Sequence, residues 1–269
     1  MKRYEKFVQD GENKVTHIPI PEGYRYEWGA LETGCVIERE IDKSQFVWIP
    51  VSLLDENGVL DEKRRKEKFG IRLPQLGSQI EISKIWTNEL AMQYESVKKY
   101  GGFYISRYNI SKNEKTGRPQ SVKNANPYSG VSFNFAKATA AKLENVESIK
   151  SHLVYGAEYD SVLNWFYKSG ARTCHEIYFQ STWWGHHAKN YTMEDAVSVT
   201  GYNEKWCTNN IYDFAGNVAE WTQEQQKDSN NQAIRGGSSK DCFPVGKRRY
   251  GNPNENCHYA GFRAALWLR

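Results

Sequence analysis

Short apolar runs separated by turns rich in Gly, Asn and Asp make up most of the chain, and two stretches carry a helical period. In "GAEYDSVLNWFYKSG", Tyr159, Val162, Leu163 and Phe166 fall at i, i+3, i+4 and i+7. Acidic residues open that segment and Gly170 closes it, which predicts an amphipathic helix. "SFNFAKATAAKLENV" sets Phe135, Ala138, Ala141 and Lys142 on one helical face, with Ser132 placed to cap its start. "GCVIEREI" and "QFVWIPVSLL" read as strands flanking the polar turn "DKSQ", and "KYGGFYISRYNIS" at 99–111 as another. Residues 54–80, polar and broken by Gly and Pro, read as a surface excursion. From 171 onward no further helical period is visible; "AALWL" at the end reads as a buried strand. Two helices in a turn-dense chain of short antiparallel strands predict an α+β fold with much irregular structure.

Composition narrows the function. Charged residues make up 25 % of the 269 and the net charge is +4, with no basic stripe, which sets nucleic acid aside. The run "DEKRRKEKFG" at 61–70 mixes both signs and reads as a solvated face. No apolar stretch reaches the ~18 residues of a membrane span, and the first residues lack the core of a signal peptide. The expectation is no membrane insertion and a chain that is cytoplasmic at synthesis, with virion association or surface display as routes outward. Five cysteines, odd in number and without a CxxC, read as free thiols. Nine Trp and seventeen Tyr against three Met suit a loop-rich fold and equally a recognition surface.

"YDFAGNVAEWT" at 212–222, "RGGS" at 235–238 and "GFRAAL" at 261–266 are preceded by "FVWIPV", "KYGGFYISRY" and "LVYGAEYDSVLNW". In that order they resemble the formylglycine-generating enzyme superfamily, whose fold is a variant of the C-type lectin fold. The resemblance spans roughly residues 45–269, and residues 1–55, a strand-rich segment leading into the fold, resemble the leader of prophage-type members.

The resemblance implies a calcium ion held by Asp213 and Glu220 and by the carbonyls of Gly216 and Val218. Two carboxylates bracketing a Gly-Asn turn are also the hard-oxygen set calcium prefers. The residues by themselves also allow Asp213 and Glu220 to cap the turn, or to pair with Arg235 or Arg263. Trp221 reads as core, and Arg235 and Arg263 as clamps on carbonyls or carboxylates. The family's oxidases hold copper on two cysteines; the matching positions here are Asp241 and Gly246, so no copper is expected, and Cys242 and Cys257 stand outside the pattern. A related branch binds iron through three histidines on another domain. Here His186 and His187 are adjacent, point apart, and read as polar filler facing solvent.

The segment between RGGS and GFR, residues 239–260, also resembles the variable region of proteins diversified by retroelements, in which Asn codons are rewritten at adenines. Laid on that pattern, the variable positions are Asp241, Cys242 and Phe243, then Tyr250, Gly251 and Asn252, then Cys257, His258 and Tyr259. All nine are types reachable from an AAC codon by changing its first two bases. As a paratope, the aromatic members would give contact area and Asp241, Asn252 and His258 directional hydrogen bonds. Trp183 and Trp184 read either as a neighbouring wall or as core. The expectation is a non-catalytic receptor-recognition protein of phage, prophage or bacterial type, binding a protein or glycan on a cell surface. The alternatives are a copper oxidase of the formylglycine-generating type and a calcium-dependent carbohydrate-binding module.

Overall fold

The computed structural model describes residues 7–9, 15–51, 88–188 and 196–269. The excursion over 54–80 and its basic run lie outside the described residues. Strands β1 (Phe7–Gln9) and β2 (Val15–His17) pair as a hairpin. The main sheet begins with β3 (Tyr24–Trp28), β4 (Val36–Arg39) and β5 (Gln45–Pro50). The two strands expected around "DKSQ" are β4 and β5, in antiparallel register with Val36 opposite Val47. Helix α1 (Asn88–Tyr100) leads into β6 (Gly102–Ser106), so the strand expected over 99–111 gives up its first two residues to a helix end. A small ribbon, β7 (Ser111–Lys112) with β8 (Pro119–Gln120), follows.

Next come α2 (Phe133–Ala140), β9 (Asn145–Val146), β10 (Ile149–Leu153), α3 (Gly156–Lys168) and the short α4 (Cys174–Tyr178). A second ribbon joins β11 (Cys207–Thr208) to β12 (Ile211–Tyr212). The chain ends in β13 (Ala219–Gln225), β14 (Gln232–Arg235), β15 (Arg249–Gly251), β16 (Ala260–Phe262) and β17 (Ala264–Leu268). The seven-stranded sheet runs β3-β4-β5-β6-β17-β10-β9, so the last strand lies inside it, between β6 and β10. A four-stranded sheet runs β15-β14-β13-β16, with β13 and β16 parallel.

Period-2 alternation gives the main sheet a core on each face. Phe46, Trp48, Tyr104 and Leu266 face one core, with α2 and Trp221; Val47, Ile49, Phe103, Ile105 and Ala265 face the other, with α3. Strands buried on both faces read as unbroken apolar runs, which is why "QFVWIP" and "AALWL" stood out. Helix α3 forms as predicted, with Tyr159, Val162, Leu163 and Phe166 buried; its first turn is tied by Tyr155 N donating to Glu158 Oε2 at 2.7 Å.

Helix α2 differs from expectation in its face. Ser132 caps it, its Oγ accepting from Phe135 N at 3.2 Å, but Phe133, Ala136, Thr139 and Ala140 are the buried set and Phe135 is 42 % exposed. The helix starts at Phe133, and this ring packs edge-on to Trp221, which sets the rotation. Helices α1 and α4 are additional to the two predicted.

Candidate functional site

The glycine-arginine signatures sit on a buried ionic base. Arg235, at the end of β14, is 0 % exposed; its Nη2 donates to Asp160 of α3 at 3.0 Å and its Nη1 to Glu224 of β13 at 3.3 Å. Arg248 closes the square, with Nη2 on the other Asp160 oxygen at 2.6 Å and Nε on the other Glu224 oxygen at 2.5 Å. Burial works against the Arg248 charge, but Asp160 and Glu224 outweigh it and hold its pKa above the ordinary guanidinium value. Arg235 also lies over the Tyr159 ring at 4.4 Å. Two arginines and two carboxylates therefore tie α3, β13 and β14 to the residue just before β15.

Arg249, the next residue, faces the loop. Its Nη1 pairs with Asp241 at 2.8 Å, and its guanidinium lies 4.1 Å from the Phe243 ring centre and 5.8 Å from that of Tyr259. Asp241 also accepts from Phe243 N at 2.9 Å and Ser238 Oγ at 3.0 Å, an Asx-type turn that shapes the loop. Of the nine expected positions, Tyr250, Asn252 and His258 are exposed and the other six are half-buried. The frame is different: Arg235 to Ser239 and Ala260 to Leu268 are buried throughout.

The positions are not equivalent. In β15, Tyr250 points outward, whereas a Cβ added at Gly251 would lie 2.7 Å from the Trp221 ring and 3.1 Å from Ile234 Cδ1. Cys257 is tied to Val131 through its backbone, N to O at 3.2 Å, and with Tyr259 packs against the core that holds Trp221. His258 meets the Tyr259 ring edge-on at 5.0 Å. The Cys242 thiol donates to Ala188 O at 3.2 Å, and burial followed by the Asp241 charge pushes its pKa up.

The other expected site is the turn before β13. Asp213 (φ 54°), Gly216 (φ 79°) and Asn217 (φ 60°) all adopt left-handed backbone, and a Cβ at Gly216 would meet His186 O at 2.1 Å, so only glycine fits there. Val218 is 0 % exposed, and Asp213 and Glu220 are each 1 % exposed. Asp213 Oδ2 accepts from Gly201 N at 2.9 Å. Glu220 Oε1 accepts from Arg263 Nε at 2.6 Å and Asn109 Nδ2 at 2.8 Å. The remaining guanidinium nitrogens of Arg263 hold the carbonyls of Ser106, Arg107 and Tyr212, so the expected clamp is real.

Asp213 Oδ1, Glu220 Oε2 and Asn109 Oδ1 are buried without a hydrogen-bond partner. Burial pushes Asp213 up to about 6 and Glu220 up to about 7, against the pull of Arg263. Hard oxygen atoms left unpaired beside carboxylates short of positive charge fit a calcium ion. Among the described residues no group of three His, Cys, Asp or Glu side chains converges on a metal position, so such a site would also depend on backbone carbonyls.

Two expectations need correction or division. His186 and His187 are 7 % and 5 % exposed, not solvent-facing. His186 stacks on Trp206 at 4.3 Å, and His187 Nδ1 lies 3.2 Å from Asp241 O; burial lowers the His187 pKa to about 4, so the ring is neutral at pH 7. The neighbouring tryptophans divide: Trp184 is core at 1 % exposure, and Trp183 is 58 % exposed. Sequence reasoning missed Asp160, Glu224, Arg248 and Asn109, since nothing in local pattern marks a polar residue as the partner of an arginine far along the chain.

No family model matches the chain, and no curated protein matches its sequence. Among solved structures, PvdO from Pseudomonas aeruginosa is similar with a TM-score of 0.51 at 17 % identity, covering 87 % of this chain and 98 % of PvdO. CarF follows at TM-score 0.48 and 16 % identity, over 62 % of this chain and 87 % of CarF. Treponema denticola variable protein 1 has a TM-score of 0.32 at 14 % identity, over 98 % of this chain and 92 % of that one. The likeness to PvdO shows a shared fold; the other two, below 0.5, add no weight. The architecture is α+β with few helices, compatible with the C-type lectin-like fold implied by the motifs. No helix among the described residues is long and apolar enough to cross a membrane.

Proposed function

We propose that the chain is a non-catalytic receptor-recognition protein whose residues 239–260 form a retroelement-diversified binding surface on a C-type lectin-like scaffold. Asp241, Cys242, Phe243, Tyr250, Gly251, Asn252, Cys257, His258 and Tyr259 are its contact set, and the ligand is a protein or glycan on a cell surface. One observation carries the reading: none of the nine is buried, while the residues framing them on both sides are. Binding sites on rigid scaffolds tolerate change for that reason. The aromatic members bring contact area at low entropic cost, and Arg249 braces Phe243 and Tyr259 from below.

In this reading calcium is a brace. The carboxylates of Asp213 and Glu220 with the carbonyls of Gly216 and Val218 would hold it, supplying the positive charge that Arg263 provides only in part. Replacing Tyr250, Cys257, His258 and Tyr259 together by alanine tests the scaffold. The expected outcome is a cooperative melt with Tm lowered by less than about 10 °C; loss of the cooperative transition would make these residues core and end the proposal. Diversification has its own check, a reverse-transcriptase gene beside a near-copy of the 3′ end bearing AAC at the variable codons.

A further inference from the structure

A cavity of about 440 Å³ opens beside β3, β4 and β5 and shares none of the nine loop positions. That volume is within the ~300–1,000 Å³ of small-molecule pockets. Its distinctive member is Arg107, only 7 % exposed. The Arg107 Nε donates to Asn210 O at 2.9 Å and its Nη1 to Gln45 Oε1 at 2.7 Å. Its guanidinium lies 4.7 Å from the Trp28 ring centre and 5.0 Å from that of Tyr212. Among the described residues no carboxylate forms an ion pair with it, and its Nη2 has no hydrogen-bond partner. The arrangement contrasts with Arg235, Arg248 and Arg263, each of which is paired with an acid.

A nearly buried guanidinium with an open edge and no ion-pair partner, Glu204 acting on it only at a distance, is incomplete, because removing a charge from water is costly unless it is paired. The other charges lining the cavity add to the deficit. Glu38 is already engaged by Arg25 at 2.9 Å, Lys43 at 3.2 Å and Gln45 at 3.0 Å. Lys123 pairs with Glu204 at 2.6 Å, but these side chains are 44 % and 70 % exposed, and such a pair contributes little and exchanges partners readily. Trp28, 39 % exposed, and Val122 supply apolar wall.

We infer that this cavity binds a small ring-bearing organic anion, its carboxylate or phosphate engaging Arg107 Nη2 and Lys123 and its ring lying against Trp28 and Val122. The site is independent of the loop face and stands or falls without it. Calorimetric titration of the full chain at low salt with glucuronate, glucose 6-phosphate and glucose tests it. Saturable binding of either anion and none of glucose is expected, and the tighter of the two anions identifies the headgroup. Arg107→Gln should weaken that binding at least about tenfold, since it removes a charged hydrogen bond.

Lys123→Ala leaves every bond of Arg107 intact and should weaken the same anion about threefold. It decides the matter if Arg107→Gln does not fold. The proposal is overturned if neither anion gives saturable heat up to about 10 mM, if glucose binds equally well, or if affinity is unchanged in Lys123→Ala and in any folded Arg107→Gln.

Discussion

Two buried pairs of carboxylates lie under the C-terminal sheet, and they are finished differently. Asp160 and Glu224 face Arg235 and Arg248, all four oxygens are engaged, and the charges cancel. Of Asp213 and Glu220 only Glu220 pairs with an arginine, Arg263, whose charge reaches Asp213 at a distance, and each carboxylate keeps an oxygen without a hydrogen-bond partner. The first is complete within the chain. The second is one positive charge short, and burial pushes both pKa values up in consequence. A closed square of charges holds loops in place permanently, whereas an open one waits for a proton or a cation.

The sharpest way to break the comparison is to open the closed square. Arg248→Met leaves two nearly buried carboxylates with one guanidinium, the condition of the other pair, and should cost about 3–5 kcal/mol in urea unfolding. Adding Asp160→Asn restores the charge count, so the double variant should be more stable than the sum of the two single changes implies. A cost below about 1 kcal/mol for Arg248→Met would mean that the square behaves as an exposed pair.

The open pair should instead show itself as a pH dependence. The folded pKa values, about 6 for Asp213 and about 7 for Glu220, lie above the ordinary 3.8 and 4.5. The folded state therefore holds protons that the unfolded chain has lost. Stability falls as pH rises from about 4 to about 7 and levels off above that, by about 3 kcal/mol for each group and on the order of 6 kcal/mol for the two together. A cation on the unpaired oxygens reverses the preference, so millimolar calcium should flatten the curve and raise Tm above pH 7, and a chelator should restore the slope. Stability that is flat between pH 5 and 8 in chelator would remove the distinction between the two pairs.

What the sequence disclosed follows the same division between local and distant effects. Helix α3, the strands buried on both faces and the buried Trp221 were legible because each is encoded by spacing or by an unbroken apolar run. Helix α1 was not, because its buried side includes Gln93 and Ser96, where an amphipathic helix would carry apolar residues. Gln93 reaches Glu158, and Ser96 Oγ accepts from Leu268 N at 3.0 Å, so polar bonds to β17 and α3 replace the missing hydrophobic stripe. Helix α4 did carry a local signal, the capping box Thr173 to Glu176, with Thr173 Oγ1 accepting from Glu176 N at 3.2 Å. The roles of Arg235 and Arg263 as clamps could be read from the chain, and Glu220 was among the acids it offered for Arg263, but the acids of Arg235 could not be read, since Asp160 lies 75 residues away.

The loop face rests directly on the closed square, because Arg248 is fixed in it and β15 begins one residue later. Alternation along that strand separates what the base controls from what it leaves open. Gly251 faces inward, where a methyl group would push on the Trp221 ring, so Gly251→Ala should cost about 1–3 kcal/mol. A diversified position there would then have to accept residues by shifting Trp221, and thermal melts of Gly251→Ala and Gly251→Ser measure how far that is possible. A loss under about 0.5 kcal/mol would make the inward position as permissive as its neighbours.

Tyr250 and Asn252, on either side of it, face outward, and the smallest effect is expected from them. Tyr250 is 37 % exposed and its backbone is held in register with Ala233 whatever its side chain, while Asn252 accepts from Asn254 N at 3.1 Å within an exposed turn. Tyr250→Ala and Asn252→Ala should each change stability by less than about 0.5 kcal/mol. The pair gives the comparison its finest test, since neighbouring residues of one short segment should differ severalfold in tolerance purely by the side of the strand they occupy. Losses in Tyr250→Ala as large as in Gly251→Ala would place the tyrosine in the support and shrink the changeable surface to the loop tips beyond β15.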